Sequence, residues 1–305
     1  MRPAGGDPAP SFPIVPYEDW GRRGRYASLE DGRVFYVREG GGDPLVLVHM
    51  FGGNSWWYSR VVAYFARAFD VIALDLPGCA RSDTPPLPYD VPDVADAVVQ
   101  FLDALGLERV HLVTIGGASM MAVHLATSWP ARVDRLVMEA LCHWTRREAK
   151  ELWRTRIEGR WVDEHNVARP FEEWGDLERT FSALDGPTRA LAVERMATDF
   201  REHGRWWGRT LTVGQLRYDV NPRLPAITAP TLLLYGSAAD DFLALRPAQI
   251  AATIPDARLA TVPGARTTSP FDRPEVYAPL VLDFLTEPAR LTSGPGGSSR
   301  SPGSA

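Results

Sequence analysis

The segment Val110-His111-Leu112-Val113-Thr114-Ile115-Gly116-Gly117-Ala118-Ser119-Met120 reads as a buried strand running into a tight glycine turn. Five of its first six residues are apolar or β-branched, the composition of a parallel strand covered on both faces. A Gly-Gly pair then turns the chain, and the small residues that follow suit a helix packed close to a sheet. Trp129-Pro130-Ala131-Arg132-Val133 ends that helix and leads into the next strand. The turn is the informative point, because Gly116 occupies it without a side chain.

Outward from this segment, short apolar runs alternate with amphipathic stretches, as a parallel sheet with crossover helices requires. The runs predict strands at 33–38, 45–49, 71–74, 110–115, 136–138, 231–235 and 258–262. Apolar residues at helical spacing predict helices over 93–105, closed by Gly106, and over 275–285 behind Pro274. Residues 1–29 are rich in Pro and Gly and read as an N-terminal extension, with Trp20 as its anchor. Residues 143–215 lack strand patterns and carry Trp144, Trp153, Trp161, Trp174, Trp206 and Trp207. They read as a helical insertion between core segments 30–142 and 216–288, and 289–305 as a disordered tail.

Thirty-three basic against thirty-eight acidic residues give a net charge of −5, which offers no footprint for nucleic acid or an anionic membrane. No run of about 18 apolar residues predicts a membrane span, and the start lacks a signal peptide's apolar core, so a cytoplasmic protein is expected. Cys79 and Cys142 make no disulfide framework, and no Cys/His spacing suits a metal. The expected partner is a small molecule, with neither metal nor cofactor.

The strand, turn and helix around Gly116 resemble the nucleophile elbow of the α/β-hydrolase family, G-x-S-x-G. Aligned without gaps, Thr114 falls on the first glycine, Gly116 on the serine and Ala118 on the last glycine. Val46-Leu47-Val48-His49-Met50-Phe51-Gly52-Gly53 is similar to the family's oxyanion turn, with Met50 in place of a glycine. Asp75-Leu76-Pro77-Gly78-Cys79-Ala80-Arg81-Ser82 and Pro225-Ala226-Ile227-Thr228-Ala229-Pro230-Thr231-Leu232 match two further stretches. The resemblance covers about 30–287 and implies an α/β fold, a mostly parallel sheet with flanking helices under a helical cap. It also implies where the triad should stand. Counting from Gly236 gives Ala239 at the acid's position, with Asp240 and Asp241 just beyond. In Val262-Pro263-Gly264-Ala265-Arg266-Thr267-Thr268-Ser269-Pro270, Thr267 stands at the histidine's position, and no histidine follows His203.

A chain without serine or histidine at these positions lacks the relay that activates a hydroxyl nucleophile. The small and hydroxylic replacements (Gly116, Ala118, Thr267, Thr268) widen the cleft and leave polar handles. Backbone N–H groups of Gly117 and of Met50 or Phe51 are candidates to hold an oxyanion, with Gly116, Trp144 and Thr267 lining the substrate site. Glu139, His143 and Asp240 are the candidate acids and bases. Against these stand quieter readings: a Glu139 salt bridge to Arg146 or Arg147, a solvated His143, and packed, structural His124 and His49. The expected function is a non-hydrolytic enzyme that cyclises, isomerises or eliminates a largely apolar, polyketide-like substrate in a cap-covered pocket. The alternatives are a non-catalytic small-molecule binder and a hydrolase with a shifted nucleophile, Ser119 or Cys142. The first reading makes Gly116→Leu a loss of pocket volume with little change in stability.

Overall fold

The computed structural model describes residues 10–158, 181–182, 184–206, 213–239, 246–266 and 268–288. Eight strands form one sheet: β1 (Arg25–Leu29), β2 (Gly32–Gly40), β3 (Pro44–Val48), β4 (Asp70–Leu74), β5 (Val110–Ile115), β6 (Val133–Glu139), β7 (Thr231–Gly236) and β8 (Ala257–Val262). Their order is β1-β2-β4-β3-β5-β6-β7-β8. β1, β2 and β4 pair antiparallel, and every pair from β4 to β8 is parallel. The chain runs outward from β3 to β4, then resumes on β3's other side with β5. This places the topological switch point, where open α/β sheets bind ligands, between β3 and β5.

The parallel strands read as near-continuous apolar runs because helices cover both faces. All six residues of β5 and of β7 are buried. Helix α1 (Tyr17–Arg22) precedes the sheet, and short α2 (Val62–Phe65) lies between β3 and β4. Helix α3 spans Val91–Ala104, two residues earlier than the apolar spacing suggests. Asp90 is its cap, in a reciprocal box with Asp93, and Gly106 closes it at φ +67°. Helix α4 (Gly117–Ser128) has ten of its twelve residues buried, which explains its run of small side chains.

The expected 1–29 extension is part of the fold from α1 onward. Trp20 is fully buried and its indole N–H donates to Ser55 Oγ at 2.9 Å, while Arg25–Leu29 pairs with β2 as the sheet's edge. The described part of 143–215 holds α5 (Arg146–Leu152), α6 (Gly186–Trp206) and α7 (Gly214–Arg217). Helix α6 joins the core through a buried polar lock. Asn54 Nδ2 donates to Asp199 Oδ2 at 2.6 Å, and Arg195 pairs with the same carboxylate at 2.8 Å. Farther along, Trp206 donates to Pro77 O at 3.1 Å and packs so closely on Gly78 that a Cβ there would lie 2.0 Å from its ring. Trp161, Trp174, Trp207 and the tail 289–305 lie outside the described residues. After α7 come α8 (Pro247–Thr253), α9 (Ser269–Asp272) and α10 (Pro274–Thr286). Among the described residues, no helix is long and apolar enough to cross a membrane.

Candidate active site

The carboxyl ends of β3, β5 and β6 lie side by side, with Val48 opposite Thr114 and Ile115 opposite Glu139. The turn after β3 is fixed by His49. Its Nδ1 is 2.7 Å from Met50 O, and its Nε2 accepts from Leu76 N at 2.9 Å, which assigns the proton to Nδ1. Burial lowers the His49 pKa, so the ring stays neutral in this bridge. His49 is structural, as expected. Asp75 secures the neighbouring loops by accepting from Ser55 N at 2.7 Å and Arg81 N at 3.1 Å.

Gly116 takes φ +59° and ψ −126°, a conformation in which side chains are strained, and it is the residue between β5 and α4. Its N–H donates to Glu139 O at 2.8 Å, so the turn's geometry is fixed by the neighbouring strand and not by any side chain at 116. A Cβ at Gly116 would meet only Met50 Cβ, at 3.5 Å. Gly117 differs. A Cβ there would lie 2.5 Å from Gln215 Oε1 and 2.6 Å from Phe51 Cδ2. A first side-chain carbon is therefore accommodated at Gly116 and blocked at Gly117 by Phe51 and by Gln215 of α7.

Ser119 is fully buried one turn into α4, with Oγ 3.0 Å from Thr114 Oγ1 and 3.3 Å from Glu139 O. It faces the sheet. Cys142 is buried as well. Its Sγ lies 3.5 Å from Ala140 O, and burial alone pushes the thiol up to about 12, where no thiolate forms near neutrality.

Glu139 is 0% exposed, at the end of β6. Ser269 N, at the start of α9, donates to its Oε1 at 2.9 Å, and Oε2 has no hydrogen-bond partner. Burial raises its pKa to about 8, with Asp272 adding a smaller push in the same direction. The salt-bridge reading is corrected: Arg146 and Arg147 are exposed on α5, and the partner of the Glu139 carboxylate is Ser269 N. His143 is corrected too. It is 2% exposed, with Nδ1 buried and unpartnered, and burial lowers its pKa. His124 is packed as expected, its Nδ1 2.8 Å from Tyr218 Oη.

Thr268, expected to leave a free hydroxyl in the cleft, donates it to Asp272 Oδ1 at 2.8 Å. Asp272 is itself raised to about 6 by burial. Trp144 lines a cavity of about 400 Å³ with Trp153, Leu216 and Tyr218; Met50, Phe51, Gly116 and Gly117 are not on its wall. The structure thus brings Met50, Phe51, Gly116, Gly117 and Glu139 together and separates Trp144 from them. Asp240 and Thr267 lie outside the described residues. Among the described residues, no three His, Cys, Asp or Glu side chains gather as metal ligands would. Two contributors were not anticipated. Ser269 was findable, because Ser-Pro marks a helix start whose first N–H groups seek an acceptor. Gln215 had no signal, since nothing local ties it to Gly117.

A family model described as the α/β hydrolase fold matches residues 43–266. An uncharacterized protein of Mycobacterium tuberculosis is 37% identical over 108 residues, 35% of this chain but only 31% of that protein's length. A 2-hydroxy-6-oxononadienedioate/2-hydroxy-6-oxononatrienedioate hydrolase of Comamonas testosteroni is 26% identical over 84% of this chain and 92% of its own. Among solved structures, the enol-lactonase from Burkholderia xenovorans LB400 superposes with a TM-score of 0.71 at 22% identity, covering 86% of this chain and all of that one. With the model matched over most of its length, this chain belongs to the α/β hydrolase fold family.

Proposed function

We propose that this protein holds a largely apolar, carbonyl-bearing small molecule in the crevice between β3 and β5 and promotes its cyclisation, isomerisation or elimination without a covalent intermediate. The observation that carries the reading is Gly116: an elbow conformation kept by the backbone, with open space where the nucleophile's side chain would stand. The turns of Met50-Phe51 and Gly116-Gly117 flank that space, and their N–H groups are the donors for a developing oxyanion or enolate. Glu139 is the acid. Its Oε1 accepts from Ser269 N, so the proton it carries at neutral pH sits on Oε2. Asp240, Thr267 and His143 are secondary candidates.

The names of the relatives favour a second reading, hydrolysis in which water attacks a carbonyl held by the same turn. Incubation with nitrophenyl esters and with a fluorophosphonate probe separates the readings. The proposal expects no turnover above a buffer blank and no label. Ester turnover without labelling sustains direct water attack, and stoichiometric labelling of Ser119 restores a serine hydrolase.

A further inference from the structure

We propose that the cavity between α5 and α7 binds an anionic amphiphile, a carboxylate or phosphate group on an apolar body, at a site separate from the crevice at Gly116. The wall supplies the apolar half. Trp144, Trp153, Leu216 and Tyr218 line about 400 Å³, within the roughly 300–1,000 Å³ of small-molecule pockets. The Trp144 indole N–H has no acceptor and is itself sealed from solvent, so this side chain offers the cavity apolar contact and no exposed donor.

The rim supplies the charge. Arg146 and Lys150 on α5 and Arg217 on α7 border the cavity. The acids that would neutralise them are engaged elsewhere. Glu148 pairs with Arg246 and caps α5, and Glu151 pairs with Arg154. Asp219, which also lines the cavity, accepts from Asn221 N at 3.0 Å and Nδ2 at 2.7 Å; it keeps its charge, so three cations against one acid leave the lining net positive. None of the three rim cations has a carboxylate partner among the described residues. The chain as a whole carries −5, and Lys150 is its only lysine, so this cationic rim runs against the overall charge.

Helix α7 divides the two sites. Gln215 reaches toward Gly117, whereas Leu216 faces the cavity, and Tyr218 just beyond joins the wall to α4 through His124. Occupancy of the cavity therefore needs no ligand at Gly116, and the inference stands independently of the reaction proposed there.

The full chain is titrated with decanoate, decyl phosphate and decanol, followed by tryptophan fluorescence and calorimetry. Both anions, or one of them, bind saturably and at least about tenfold more tightly than decanol, and the preference shrinks in 0.5 M salt as exposed charges are screened. Binding of decanoate alone identifies a carboxylate ligand, and of decyl phosphate alone a phosphate ligand. Arg146→Glu with Arg217→Glu weakens the anions roughly tenfold or more and leaves decanol unchanged, with the thermal midpoint kept because both side chains are exposed. Gly116→Leu leaves anion affinity unchanged. Equal binding of decanol and decanoate, absence of anion binding, or indifference to the charge reversal overturns the proposal. So does loss of anion binding in Gly116→Leu.

Discussion

The carboxyl ends of β5 and β6 are neighbours in one sheet and have taken opposite courses. At the end of β5, Gly116 is half-exposed and has no side chain, yet it holds the strained turn of an elbow. At the end of β6, Glu139 has a full carboxyl group and no exposure at all. The hydrogen bond from Gly116 N to Glu139 O joins them, so backbone pairing keeps the turn whatever its side chain. Backbone pairing therefore fixes the turn's geometry, and burial in the same sheet pushes an ordinary carboxylate toward its neutral form.

The sharpest way to break this contrast is to place a hydroxyl at the end of β5. Gly116→Ser should not create an esterase, because a serine without a general base lacks roughly 10²–10⁴-fold of assistance. Adding Thr267→His should raise nitrophenyl ester turnover above the single variant. Robust activity from the single change would show that a base already faces the elbow. The substitution also carries a stability cost. A Cβ fits, but φ +59° with ψ −126° strains any side-chain-bearing residue by about 1–3 kcal/mol, measurable as a lower urea midpoint. Gly116→Leu shares that cost, so the sequence-based expectation of unchanged stability is corrected by the backbone angle.

Glu139→Gln tests the other strand end. Burial raises Glu139 from 4.5 to about 8, so the folded chain keeps a proton that the unfolded chain sheds from about pH 4.5 upward. Unfolding then releases a proton, and wild-type stability falls as pH rises through this window until it levels above pH 8. Glutamine keeps the acceptor for Ser269 N and has nothing to ionise. Urea unfolding at pH 5 and 8.5 should show the variant gaining on wild type by at least about 1 kcal/mol. Asp199, raised to about 7, acts in the same direction in both proteins and drops out of the difference, whereas Asp272, which interacts with Glu139, titrates with it and belongs to the measured effect. A constant gap would mean that Glu139 is ionised throughout.

The contrast also marks what could be read from sequence. The strands from β3 to β7 were legible within a few residues because their apolar runs are buried on both faces, and β2 and β8 because each still carries a short apolar or β-branched run. β1 was missed because only Ala27 of its five residues is buried, so Arg25-Tyr26-Ala27-Ser28-Leu29 carries almost no periodic signal. Gly116 was legible because a tight strand-to-helix turn favours a residue tolerant of positive φ. The environment of Glu139 was not. Arg146 and Arg147 lie near it in sequence, but its donor is Ser269, 130 residues away. The same distance hides the pairing of Asn54 with Asp199, 145 residues apart, which fastens α6 to the core.

Ser119→Ala, the smallest expected effect, decides whether the contrast has been drawn at the right residue. If Gly116 is the turn, Ser119 is a packing hydroxyl, sealed between Thr114 Oγ1 at 3.0 Å and Glu139 O at 3.3 Å. Removing it deletes one buried hydrogen-bond group, while Thr114 Oγ1 retains Val137 O at 3.4 Å and Glu139 O retains Gly116 N. The cost is about 0.5–1.5 kcal/mol in a urea titration, with any turnover of the natural substrate unchanged. A shifted elbow makes the opposite statement. Ser119 would then be the nucleophile, and its loss would abolish turnover with little change in stability. The burial of Ser119 Oγ against Thr114 and the β6 backbone favours the first outcome.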